Sequence, residues 1–302
     1  MTTTRRQVLS WAATAFIPSS QREVQSVVAG RPTVDGAGVQ LTRLIGHGGL
    51  RHLDPFVMMD RFHSNDPRAY MAGFPEHPHR GFETVTVMLD GHMLHQDSRG
   101  NRGDIVGGGA QWMTAGKGIL HSEMPRQEQG WLSGFQLWVN LPAREKLCAP
   151  YYQDLQPKAL AQGSLSKAGS TLRLIAGRHQ GLVGPVRERP TAPLLGTVML
   201  EDDAPFELEV PEHHHAFAFV GAGEVDIGPA SNPTVATEGA LAVLSAGKKV
   251  RLRAKAQRSL VLVAAGKPLR EAMVQRGPFV MSNEAEIEKA WADYRAGTLG
   301  RD

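Results

Sequence analysis

Hydrophobic and polar positions alternate over residues 83–89, Glu-Thr-Val-Thr-Val-Met-Leu, and the run stops at the turn pair Asp90-Gly91. Turn signals return at residues 98–103 and at Gly107-Gly108-Gly109, and an apolar strand candidate at residues 135–141 closes a first unit near residue 145. Residues 146–170 are polar and irregular and read as a connector. Strand patterns resume at residues 170–176, 195–200, 216–220, 224–227, 240–244, 250–253 and 259–264. Gly221-Ala222-Gly223 and Pro229 to Pro233 punctuate them. Similar strand counts and turn spacing in the two halves predict an all-β chain made of two barrels in tandem. Only the end reads as helix. Asn283 can cap, Glu286 stands three residues on, and Ile287, Ala290, Trp291 and Tyr294 form one apolar stripe before Gly297. The expectation is a short C-terminal helix docked on a barrel by that stripe.

Composition narrows the function classes. The chain has 302 residues, 41% hydrophobic and 21% charged, which suits a folded protein with sizeable cores and no membrane span. Thirty-three basic against thirty acidic residues leave a net charge of +3, and no run of five or six like charges occurs. Direct nucleic-acid binding therefore has little support. One cysteine, Cys148, excludes an intrachain disulfide and a cysteine-based metal cluster; it is expected to be a small packed side chain. Arg5-Arg6 before the apolar residues 8–17 resembles a twin-arginine export leader. That run is too short to cross a bilayer, and Ile17-Pro18-Ser19-Ser20 offers no small-x-small cleavage site. Residues 1–22 are therefore read as an extension of a cytoplasmic protein, with periplasmic export through the leader as the alternative.

Candidate chemistry is concentrated in Glu76-His77-Pro78-His79-Arg80-Gly81-Phe82-Glu83 and in Gly116-Lys117-Gly118-Ile119-Leu120-His121-Ser122-Glu123. Strand side chains alternate faces, so His77 and His79 share a face, as do His121 and Glu123. Two such strands can surround one ion with three imidazoles and a carboxylate, leaving one or two coordination positions open. Each pair alone is weak, since twelve histidines occur and His213-His214-His215 holds a second His-x-His. Their common setting, strand pattern and glycine turns about forty residues apart, gives the set its weight. Glu83 reads equally as a residue that orients an imidazole or as a structural acceptor. His92 and His95 are expected at the surface, with cavity lining the alternative, and His47, His52 and His63 lack a partner pattern. Trp112, Met88, Phe135 and Trp138 read as ordinary core that can also wall a cavity. Such a donor set admits Fe, Mn, Co, Ni, Cu or Zn.

Several linked motifs resemble the pirin family. They are His77-Pro-His79-Arg-Gly-Phe-Glu-Thr-Val-Thr86, His95-Gln-Asp-Ser98 with Gly100-Asn101, and Met113-Thr-Ala-Gly116 with Gly118-Ile119 and His121-Ser-Glu123. Asp54-Pro-Phe56, Asp60, Phe62, Gly266-Lys-Pro-Leu269, Glu271 and Gly277-Pro-Phe-Val-Met281 support them. The resemblance covers nearly everything after residue 23. It implies an all-β bicupin, two jelly-roll β-barrels in tandem with a short C-terminal helix. Residues 23–145 would be a metal-binding barrel, 146–170 a connector, and 171–302 a metal-free barrel plus the helix. It implies one Fe(2+) per chain held by His77, His79, His121 and Glu123, with Glu83 outside the ligand set. It also implies a quercetin 2,3-dioxygenase-like oxidoreductase that opens a flavonol heterocycle with O2, with Glu123 as general base. The alternative from the same family is a non-enzymatic, iron-dependent redox regulator that docks on a transcription factor or metabolic enzyme. A metal-dependent isomerase fits the ligands but not the linked motifs.

Overall fold

The computed structural model describes residues 20–255 and 258–301. The Arg5-Arg6 leader motif lies outside the described residues. Apart from short 3-10 turns and one helix, Glu284–Arg295, the regular structure of the described chain is all β-strand. Among the described residues no helix is long and apolar enough to cross a membrane.

Each half builds a seven-stranded sheet facing a four-stranded one. In the first unit the large sheet runs Tyr151–Leu155, Ala110–Thr114, Phe82–Asp90, Leu132–Asn140, Phe56–Ser64, Val39–Ile45, Arg31–Asp35. The small sheet runs Phe74–His79, Ile119–Pro125, His92–Asp97, Arg102–Val106. The second unit repeats the plan with Val24–Ala29, Ala240–Leu244, His215–Ala222, Ser259–Gly266, Leu194–Leu200, Thr171–Ala176, Ala161–Ser164 against Phe206–Glu209, Lys249–Ala254, Glu224–Ile227, Thr234–Thr237. This is the two-unit all-β cupin architecture expected from the sequence.

Alternation assigns each face. On Phe82–Asp90, Thr86 and Met88 point into the first unit, where Met88 packs with Phe62, Met93 and Ile105. Val85 and Val87 point outward and join Trp112, Phe135, Phe217 and Phe219 in a core shared by the two large sheets. The sheets therefore pack face to face, with Phe56 edge-on to Phe217 at 5.1 Å and Phe135 edge-on to Phe219 at 5.3 Å. The interior of the second unit is filled by Leu172, Ala216, Ala218, Val220, Val225 and Leu252.

The chain crosses between units more often than its local patterns indicate. Val24–Ala29 pairs with Ala240–Leu244 in the second unit's sheet rather than with residues of the first. Residues 146–170 are not an irregular connector. Tyr151–Leu155 adds to Ala110–Thr114 of the first unit, and Ala161–Ser164 adds to Thr171–Ala176 of the second. All three are edge strands, whose polar open side hides the strand signal, and a pattern does not name the sheet edge that receives it. The C-terminal helix carries Asn283 as its N-cap, with Oδ1 accepting from Glu286 N at 3.0 Å while Glu286 accepts from Ser282 N at 3.0 Å. Its buried Ile287 and Ala290 pack with Phe279, Met281, Leu299 and, from the first unit, Leu120. Arg80 Nη1 reaches Asp293 Oδ2 at 2.8 Å, and Val280 N donates to Arg80 O. The end of the chain is thereby tied to the strand that carries His77 and His79.

Candidate metal centre

Phe74–His79 and Ile119–Pro125 are antiparallel neighbours that set His121 opposite His77. A register shift follows, between His121 and Glu123. The three imidazoles crowd together, with ring centroids 4.3 Å apart for His77–His121, 4.7 Å for His77–His79 and 4.9 Å for His79–His121. Their donor atoms lie within 4.8 Å of one another.

Hydrogen bonds on the far side of each ring fix which nitrogen faces the cluster. His77 Nδ1 donates to Pro75 O at 2.8 Å and His79 Nδ1 to Pro278 O at 3.1 Å. Both Nε2 atoms are then bare acceptors, yet they stand 3.1 Å apart. His121 is held through His95. The Asp97 carboxylate accepts from His95 Nε2 at 3.2 Å, which leaves His95 Nδ1 to accept from Gln111 Nε2 at 3.0 Å and from His121 Nδ1 at 3.4 Å. His121 Nε2 is buried and has no partner. Burial and, secondarily, the neighbouring imidazoles hold His79 and His121 well below the usual histidine range, so both are neutral. Three inward lone pairs, one of them an orphaned buried acceptor, fit a cation and repel one another without one.

Glu123, 1% exposed, is held at both oxygens. Gln136 Nε2 donates to Oε1 (3.0 Å) and Oε2 (2.8 Å), and Thr86 Oγ1 donates to Oε1 (3.0 Å). Its carboxylate groups with His121 and His95 within 4.8 Å, and it lines the same cavity of about 790 Å3 as His77 and His79. Met58, Phe62, Phe74, Met93 and Trp138 give this cavity apolar walls. Arg43 adds a polar wall through its bidentate pair with buried Asp60, 2.9 and 2.7 Å.

Other sequence candidates fall elsewhere. Glu83 orients no imidazole: sharing the outward face of Val85 and Val87, it accepts from Thr114 Oγ1 (2.7 Å) and Arg189 Nε (2.9 Å) between the two units. Trp112 and Phe135 belong to the shared core rather than to the cavity wall. His95, expected at the surface, is fully buried, and its Asp97 partner is held below the usual carboxylate range. Burial works against that lowering, but hydrogen bonds from His95, Asn101 and Arg99 outweigh it. The i, i+2 spacing of Met93, His95 and Asp97 is the signal that places His95 inward. His92 is exposed, as expected. His215 of the triplet bonds Asp54 O at 2.6 Å, and among the described residues neither potential metal cluster includes the triplet. Cys148 is half-buried, and burial pushes its thiol upward, away from reactivity.

Both halves match family models, Pirin over residues 38–139 and the Pirin C-terminal cupin domain over residues 196–300. A Pseudomonas aeruginosa protein, provisionally named quercetin 2,3-dioxygenase, is 44% identical, covering 92% of this chain and 98% of its own. Mouse Pirin is 40% identical, covering 93% and 95%. The crystal structure of quercetin 2,3-dioxygenase from Acinetobacter baumannii superposes with a TM-score of 0.84 at 32% identity, covering 92% of this chain and 98% of that one. With its two-unit β fold, its inward-facing histidines and these likenesses along nearly its whole length, the chain belongs to the pirin family.

Proposed function

We propose that this chain is an iron-dependent dioxygenase that opens the heterocycle of a flavonol such as quercetin with O2. His77, His79, His121 and Glu123 are its metal ligands. The observation that carries the reading is the convergence of three bare Nε2 atoms, with His77 and His79 lining the cavity that Glu123 also lines and His121 grouped with both them and Glu123. The names of the P. aeruginosa and A. baumannii relatives agree with it. When bound, Fe(2+) supplies a Lewis-acid position for the substrate's enolic oxygens and the electronic means to engage O2. The apolar walls of the cavity take the flat flavonol rings and exclude water. Glu123, whose carboxylate Gln136 and Thr86 hold in place, accepts the proton of the enolic hydroxyl. Arg43, fixed by Asp60, offers a charged wall to the polyhydroxylated ring.

The test is anaerobic titration of iron-loaded protein with quercetin, followed by air. Carbon monoxide and the depside product are expected from wild type, with both lost in His121→Ala. Iron-loaded protein that yields neither rejects the enzyme reading and leaves the regulatory one.

A further inference from the structure

A second concavity, of about 800 Å3, opens on the second unit among Pro211, Glu212, His213, His214, Lys267 and Arg270. The dioxygenase reading uses none of these residues. Beneath it lies a fixed positive charge. Arg22 is 1% exposed, and its guanidinium donates to the carbonyls of Ser245 (2.7 Å), Pro211 (2.7 Å) and Glu212 (3.2 Å) rather than to a carboxylate. Lys267 and Arg270 are exposed, and among the described residues neither side chain has an ion-pair or hydrogen-bond partner. The one acidic lining residue, Glu212, sits 3.8 Å from Lys248 Nζ. In a chain whose 33 basic and 30 acidic residues nearly balance, two cations lining one hollow and Arg22 bonded to the carbonyls of its Pro211 and Glu212, none of the three side chains paired with a carboxylate among the described residues, are a local excess.

Two further observations make this more than surface charge. His214 Nδ1 is buried without a hydrogen-bond partner. Burial, together with Arg22, Lys267 and the flanking histidines, lowers His214 to about 4, so the ring is neutral at pH 7 and free to hydrogen-bond. The loop that presents Arg270 is also preset. Arg270 has φ +57°, a conformation that disfavours side chains with a Cβ. It is held there by Asp54, whose carboxylate accepts from Leu269 N (3.0 Å) and Arg270 N (2.7 Å), while Asp54 O bonds His215 Nδ1.

We propose that this hollow is a binding site for a small oxyanion, a metabolite bearing a carboxylate or phosphate group. Lys267 and Arg270 pair its charge, and the His214 ring turns on binding so that its buried, unpartnered Nδ1 meets one of the anion's oxygens. The site is separate from the candidate metal centre and does not depend on that centre's chemistry.

The experiment is calorimetric titration of the full chain with inorganic phosphate and, separately, with succinate. Sodium chloride at matched ionic strength serves as the control, because exposed charges are screened alike by any salt. One saturable site per chain, with a Kd of about 1 mM or tighter, is expected for at least one anion. The tighter of the two identifies the chemical class. Lys267→Ala combined with Arg270→Ala should weaken binding at least tenfold, while melting without anion and metal content stay at wild-type values. His214→Phe should weaken it further, and His121→Ala should leave it unchanged. Absence of saturation with both anions overturns the proposal. So does equal binding by the double variant, or loss of binding in His121→Ala, which would put the anion at the metal centre instead.

Discussion

Glu83 and Glu123 are both buried carboxylates on different sheets of one unit, and their partners separate their roles. Glu83 carries the charge of Arg189 between the units, whereas Glu123 is held by the neutral donors Gln136 and Thr86 and faces the cavity. Glu83→Ala strands a largely buried guanidinium, so chemical denaturation should show a loss of about 3–5 kcal/mol with bound metal per folded chain unchanged. Under the proposed general-base role, Glu123→Gln should instead keep the fold and lower kcat/KM by roughly 100-fold. His95→Leu removes the acceptor for His121 Nδ1, and titration with Co(2+) should show metal affinity falling by roughly 10–100-fold. The inward directions of His77, His79 and His121 were legible because facing is a matter of parity along a strand. The partners of His95 and Glu83 were not, since Gln111, His121 and Arg189 lie 16, 26 and 106 residues away.

Among the elements, the terminal helix was the most legible, because its cap, acidic first turn and apolar stripe are all local. Its destination was not: Asp293 meets Arg80, 213 residues earlier. That pairing fixes a pH response. The hydrogen bond from Arg80 holds Asp293 below the ordinary carboxylate range; burial opposes it, and the bond from Lys289 adds to the lowering. A depressed folded value means that the unfolded chain binds the proton more readily as pH falls. The contribution is therefore complete well above the unfolded value of about 4 and is lost as pH drops through the folded one. Acid titration of stability should be steeper below about pH 4 in wild type than in Asp293→Asn. Identical slopes would remove this helix contact from the acid response. The edge strands Tyr151–Leu155 and Ala161–Ser164 show the opposite case, elements whose existence depends on a partner sheet more than on their own sequence.

At the scale of the molecule, one apolar layer joins the two large sheets, with Phe56, Phe135, Phe217 and Phe219 at its centre. Phe217→Ala should cost about 3–5 kcal/mol, and the unfolding transition should remain single, since neither unit keeps its outer face dry without the other. Two separate transitions would show independent units. Val24–Ala29 strengthens the coupling, because the second unit's sheet takes a strand from the start of the described chain. The polarity of His79 offers a last consequence. Its Nδ1 proton is anchored by Pro278 O, a carbonyl 199 positions further along. During synthesis His79 therefore leaves the ribosome long before the group that fixes its tautomer. A nascent chain lacks this ring orientation until Pro278 has emerged, so under the proposed ligand role of His79 metal capture should follow synthesis of that segment and not precede it.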